Sequence, residues 1–176
     1  MKKFIPRQEH RLGPTEAGVT VLDFFDFECL HCAEAEHPLR QVLDAFEGEV
    51  ALVVRHFPLT ESHAWANAAA LASEAAANQG KFWEMHDLIF QYQNDLSTEM
   101  LLGLAVELGL DTDQFEADMK NADTQARLDQ DLDEGERLGV DGAPCIFVNG
   151  VRLEDEITFE SLSRAVSGLL SPEKAA

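Results

Sequence analysis

VLDFFDFECLHC, residues 21–32, decides the fold, because it joins an apolar run directly to two cysteines in C-x-x-C spacing. Val19 to Phe27 is broken only by Thr20, Asp23 and Asp26, the pattern of a strand covered on both faces. From Cys29 to about Phe46, the residues Cys32, Ala35, Leu39, Val42, Leu43 and Phe46 recur with helical periodicity, so the chain passes from strand into an amphipathic helix with Pro38 as its expected kink. A cysteine opening that helix meets unpaired backbone N–H groups and the positive dipole end, which favour a thiolate over a thiol. Cys29 is therefore the expected attacking sulfur, and Cys32, one turn further and more deeply placed, the resolving one.

The same spacing supplies half of many zinc sites, and cysteines also fill cores. A structural metal site normally takes a second ligand pair, whereas Cys145 is the only other cysteine. A metal-binding protein using Cys29 and Cys32 with Cys145 or His31 stays open as an alternative, as does a peptide-binding holdase module. The strand-to-helix setting favours a redox centre that needs no cofactor.

At 176 residues with 45% apolar content, the chain is long enough for one domain with a sizeable core. Three cysteines do not make a secreted disulfide framework. Thirty-three acidic against thirteen basic residues give a net charge of −20, which repels nucleic acid and anionic membrane surfaces. No apolar segment follows Met1, Lys2 and Lys3 in the manner of a secretory signal, and no stretch is long enough to span a bilayer. The expectation is a cytoplasmic monomer with neither a nucleic-acid nor a membrane partner.

Residues 1–18 read as an arm. Val50 to Phe57 is a second strand, so strand, helix and strand make a βαβ unit with parallel strands. A helical tract follows, with helices expected over Thr60–Asn78, Lys81–Gln91, Thr98–Leu108, Asp111–Met119 and Thr124–Leu138, the last ended by Gly139. Cys145–Val148 and Val151–Leu153 form a hairpin about Asn149-Gly150, and Phe159–Leu170 is a final amphipathic helix. The expected architecture is a four-stranded mixed sheet with helices on both faces. An all-helical insertion, residues 60–140, separates 19–59 from 141–176.

VLDFFDFECLHC (21–32), RHFPL (55–59), GKFWEMHDLIF (80–90) and GAPCIFVNG (142–150), in that order, resemble the thioredoxin fold with the helical insertion of the DsbA family. Members fused to sodium/proton antiporters and freestanding cytoplasmic members look more similar than the periplasmic oxidase. The resemblance implies a thiol-disulfide oxidoreductase acting on protein or small-thiol substrates, with glutathione or the thioredoxin system as redox partner. It also implies a cis peptide between Ala143 and Pro144 beside the cysteines, offering an Ala143 backbone edge to an extended substrate.

By the same resemblance Asp23 matches a buried carboxylate beneath the disulfide, fitted by a raised pKa to take the Cys32 proton. His31, inside the motif, can stabilise the Cys29 thiolate, whereas Asp26 and Glu28 oppose it. Leu30 stands where the periplasmic oxidase carries proline, so that enzyme's potential does not transfer. His37, His56, His63 and His86 are expected at the surface or in local hydrogen bonds, and Cys145 as a small buried hydrophobe.

Overall fold

The strand β2, Val19–Phe25, leaves only Thr20 partly exposed, and β3, Val50–His56, is buried along its whole length, as continuous apolar runs require. The computed structural model describes residues 10–170. Residues 1–9 of the expected arm and 171–176 of the last segment lie outside the described residues.

The sheet is mixed and has five strands in the order β1-β3-β2-β4-β5. It contains the expected four and one more. The addition is β1, Arg11–Leu12, antiparallel to β3 with Arg11 opposite Val53 and Leu12 opposite Leu52. Backbone pairing along the free edge of β3 explains it, because two residues carry no periodicity that a sequence reading could detect. Gly13 follows at φ +88°, where a Cβ would stand 2.5 Å from the Val50 carbonyl oxygen, so glycine is required for the approach. The strand β4, Cys145–Val148, lies antiparallel to β2 and pairs Asp23 with Ile146 and Phe24 with Cys145. It turns through Asn149 (φ 47°) and Gly150 (φ 82°) into β5, Val151–Arg152, the two-residue hairpin expected of Asn-Gly. The helix α1, Leu30–Ala45, runs through Pro38, and α7, Phe159–Leu170, closes the described chain.

The helical tract contains α2, Ala66–Ala77; α3, Phe82–Gln91; a 3-10 turn, Gln93–Asp95; α4, Thr98–Glu107; α5, Thr112–Met119; and α6, Ala122–Leu138. Ala66, Ala69, Ala70, Ala72, Ala75 and Ala76 are buried, and these small side chains let α2 pack against α3, α5 and α6. Ser97 and Asp111 cap α4 and α5 by accepting the Met100 and Gln114 N–H groups at 3.0 Å each. Gly139, at φ 76°, ends α6. Truncating Leu101, Leu104 or Leu128, all 2% exposed or less, to alanine costs about 2–5 kcal/mol each.

Helix α2 begins at Ala66, six residues later than the expected Thr60, because the preceding segment gives the N–H groups of Leu59 and Trp65 to carboxylates of the cysteine turn. The described chain divides into two compact units, one of residues 10–24, 33–55 and 144–170 and another of residues 25–32 and 56–143. The second thus takes in the cysteine turn together with the expected insertion. Phe25 and Phe27 explain this, their rings meeting Phe90 at 5.8 and 5.0 Å and His86 at 5.3 and 5.5 Å between centroids. Among the described residues no helix is long and apolar enough to cross a membrane.

Candidate active site

Phe27 and Glu28 form the turn between strand and helix, and Cys29 occupies the position just before α1. The Cys29 N–H donates to the Asp26 carbonyl at 3.2 Å, and the Cys32 N–H returns to the Cys29 carbonyl at 3.1 Å. This winding leaves the first amides of α1 directed at the Cys29 sulfur, as a helix start without a side-chain acceptor dictates. Gln93, from the 3-10 turn, fastens the bend by donating from Nε2 to the carbonyls of Phe27 and Cys29 at 2.8 Å each.

The three cysteines are buried. Cys29 Sγ donates to the Ala143 carbonyl at 3.5 Å, and the Asp26 N–H donates to Cys32 Sγ at 3.4 Å. Cys29 is 7% exposed and Cys32 1%. A hydrogen bond from the Cys32 thiol, aided by the backbone N–H groups of Cys32 and His31, lowers the Cys29 pKa from 9.0 to about 6, against opposition from burial and the Asp26 charge. His31 thus contributes through its backbone, and its side chain is exposed, as is Leu30 at 60%.

Cys29, Leu30, His31, Cys32 and Ala143 share one unit, whereas Asp23, Pro144 and Cys145 belong to the other. Asp23 is buried in β2 at 1% exposure and Cys145 in β4 at 4%. His37 is exposed; His56 and His86 are buried, at 1% and 0%, with His86 Nδ1 in a local hydrogen bond to Asp87 at 2.9 Å. Burial follows from their rings packing with Phe25, Phe27 and Phe82. His63, expected at the surface or in a local hydrogen bond, instead reaches the cysteine turn across 37 positions. Its Nδ1 lies 2.8 Å from Asp26 Oδ2, which also accepts the Leu59 N–H at 2.8 Å, while Asp26 Oδ1 accepts the Glu28 N–H at 2.7 Å. Glu28 Oε2 in turn accepts the Trp65 N–H at 2.7 Å. The hydrogen bond to Asp26 raises the His63 pKa above 6.5, with further help from the charges of Asp26, Glu28 and Cys29 against the effect of burial. A carboxylate within an apolar run, at Asp26, was the one signal in the sequence of a polar partner there.

Two thiols one helical turn apart at the start of α1, in a chain that carries a mixed sheet with helices, are the features of a thioredoxin-fold protein with a dithiol centre. The chain belongs to the thioredoxin family, whose model matches residues 6–167. It is similar to a thioredoxin-like oxidoreductase from Silicibacter pomeroyi, with 30% identity and a TM-score of 0.79 over 94% of this chain and 92% of that one. BdbD from Bacillus subtilis, oxidised, shares the fold at 20% identity and a TM-score of 0.81, covering 96% of this chain and 97% of that one. The chain also matches the Na(+)/H(+) antiporter NhaA 1 of Salinispora arenicola, 43% identical over 162 residues, which are 92% of this chain and 25% of the antiporter. It therefore spans about a quarter of the length of the antiporters that it matches.

Proposed function

We propose that the chain is a thiol-disulfide oxidoreductase working through Cys29-Leu30-His31-Cys32, with disulfide-bearing proteins or small thiols as substrates and a glutathione or thioredoxin couple as redox partner. The observation that carries this reading is the placement of Cys29 just before α1 with the Cys32 thiol and the His31 and Cys32 amides beside its sulfur, an arrangement that lowers its pKa to about 6 and favours the thiolate at neutral pH. In the reducing direction the Cys29 thiolate attacks a substrate sulfur, forming a mixed disulfide and expelling the other substrate sulfur as thiolate. Cys32 then gives its proton to solvent and attacks the Cys29 sulfur, breaking the Cys29–substrate bond and releasing the second substrate sulfur as thiolate, so the protein becomes the disulfide and the substrate gains two electrons. The reverse sequence oxidises a substrate dithiol. The Ala143 carbonyl, which accepts from Cys29 Sγ at 3.5 Å, suits an extended substrate segment laid beside the sulfur, and Leu30 offers it an exposed apolar surface.

The test is equilibration with glutathione buffers of graded potential, followed by trapping and mass analysis. Interconversion of dithiol and Cys29–Cys32 disulfide, with a mixed disulfide accumulating in Cys32→Ser, is the expected result. A pair that stays reduced, or that forms no mixed disulfide, would rule the reading out.

A further inference from the structure

Asp26 works against the centre that it helps to build. Its side chain is 0% exposed, so water screens its charge weakly, and that charge raises the Cys29 pKa. Three donors meet the carboxylate: the N–H groups of Glu28 and Leu59, and His63 Nδ1. Of the three, His63 alone can carry a compensating positive charge. It is also open to proton exchange, its side chain being 25% exposed.

We propose that His63 is a positioning residue of the redox centre, whose imidazolium neutralises Asp26 and thereby lets Cys29 stand as a thiolate, so that the redox state of Cys29 and the protonation of His63 are coupled. The proposal rests on Cys29 being the reactive sulfur. The charged groups facing His63 are Asp26, Glu28 and Cys29. Of these, Cys29 loses its charge when it enters the disulfide. Two-electron reduction by a thiol couple breaks the S–S bond and yields the Cys29 thiolate and the Cys32 thiol, with one proton taken up by Cys32. The new thiolate then draws a further fraction of a proton onto His63. Linkage is reciprocal, so a protonated His63 favours the reduced, thiolate-bearing form by the same amount.

The experiment is the pH profile of iodoacetamide alkylation at Cys29, read by peptide mass, in the wild type, His63→Gln, His63→Lys, Asp26→Asn and the Asp26→Asn/His63→Gln double variant. The Cys29 midpoint should rise by about half a pH unit or more in His63→Gln, a roughly threefold loss of thiolate below the midpoint, with recovery in His63→Lys. In the Asp26→Asn background the same histidine change should have little effect, because no carboxylate remains to be neutralised. An unmoved midpoint in His63→Gln, or a shift of equal size in both backgrounds, overturns the proposal. A measurement on the unaltered side chains stands beside these variants: the imidazole of His63, followed by NMR, should titrate at higher pH in the reduced protein than in the diamide-oxidised one. Equal midpoints in the two states also overturn it. Alkylation reads the thiolate whether or not disulfides are exchanged, so a protein that shows the His63 effect but fails to equilibrate with glutathione would refute the oxidoreductase reading while supporting this one.

Discussion

Asp26–His63 and Glu74–His56 are the same chemical pair in two settings, at 2.8 and 3.0 Å, and their surroundings divide their work. In the first, the imidazole is 25% exposed and faces the cysteine turn. In the second, both side chains are 2% exposed. Glu74 also holds Arg127 Nε at 2.8 Å, Arg127 donates to Asn78 at 3.0 Å, and the His56 N–H donates to Asp131 at 3.0 Å. That cluster ties His56 to α2 and α6. A histidine–carboxylate pair becomes a device for chemistry when one partner can exchange protons with water and a titrating nucleophile lies within its field.

The comparison can be broken most severely at the sulfur itself. Cys29→Ser should lower disulfide exchange with a protein substrate by at least about a thousandfold, because a hydroxyl is hardly ionised at neutral pH and leaves poorly from a mixed bond. Its folded stability at pH 5 should change little. Activity retained in Cys29→Ser would move the chemistry away from the exposed pair altogether.

The buried pair should give the opposite result. Glu74→Leu leaves Arg127 and His56 without their shared carboxylate and should cost about 3 kcal/mol in chemical denaturation, with the Cys29 alkylation profile unaltered. A shift in that profile would show that the two pairs communicate. A smaller effect is expected at Gln93→Leu, which removes both donations to the turn carbonyls, by about 1–2 kcal/mol, and slows exchange by loosening the bend.

The smallest effect is a pH dependence, and its sign separates the two titrating members of the exposed site. Cys29 is depressed from 9.0 to about 6, so its stabilisation of the reduced fold is fully present only above the unfolded value and is lost as pH falls through about 6. Between pH 7 and 5 the stability advantage of the reduced wild type over Cys29→Ser should shrink by about 1 kcal/mol. His63 has the reverse sign. Its pKa is raised, so its contribution is complete below 6.5 and disappears as pH rises through the raised value. Thermal melts of reduced wild type and of His63→Gln should therefore converge on the alkaline side, and convergence on the acidic side would contradict the Asp26 pairing.

How far the sequence reached depends on the range of each interaction. The apolar run at Val19–Phe25, the helix after Cys29, the Asp111 cap and the Asn149-Gly150 turn are governed by neighbours within a few residues, and all lie within a residue or two of their expected places. The strand Arg11–Leu12 and the late start of α2 escaped, since the first needs the β3 edge and the second needs acceptors from Asp26 and Glu28, some thirty-odd positions earlier. Cys29 and Cys32 announced themselves by spacing. Their inequality was already implied by the helix terminus, and the amides of His31 and Cys32 supply part of it.

By itself, then, the sequence determined the strand-turn-helix that places two thiols one helical turn apart, because dihedral preference, apolar periodicity and the helix dipole are local. Only the tertiary structure decided which charges surround them. His63 lies 37 positions from Asp26 and Gln93 64 from Cys29, and no periodicity links such residues; they meet because chain segments distant in sequence pack together and buried carboxylates and carbonyls must find donors.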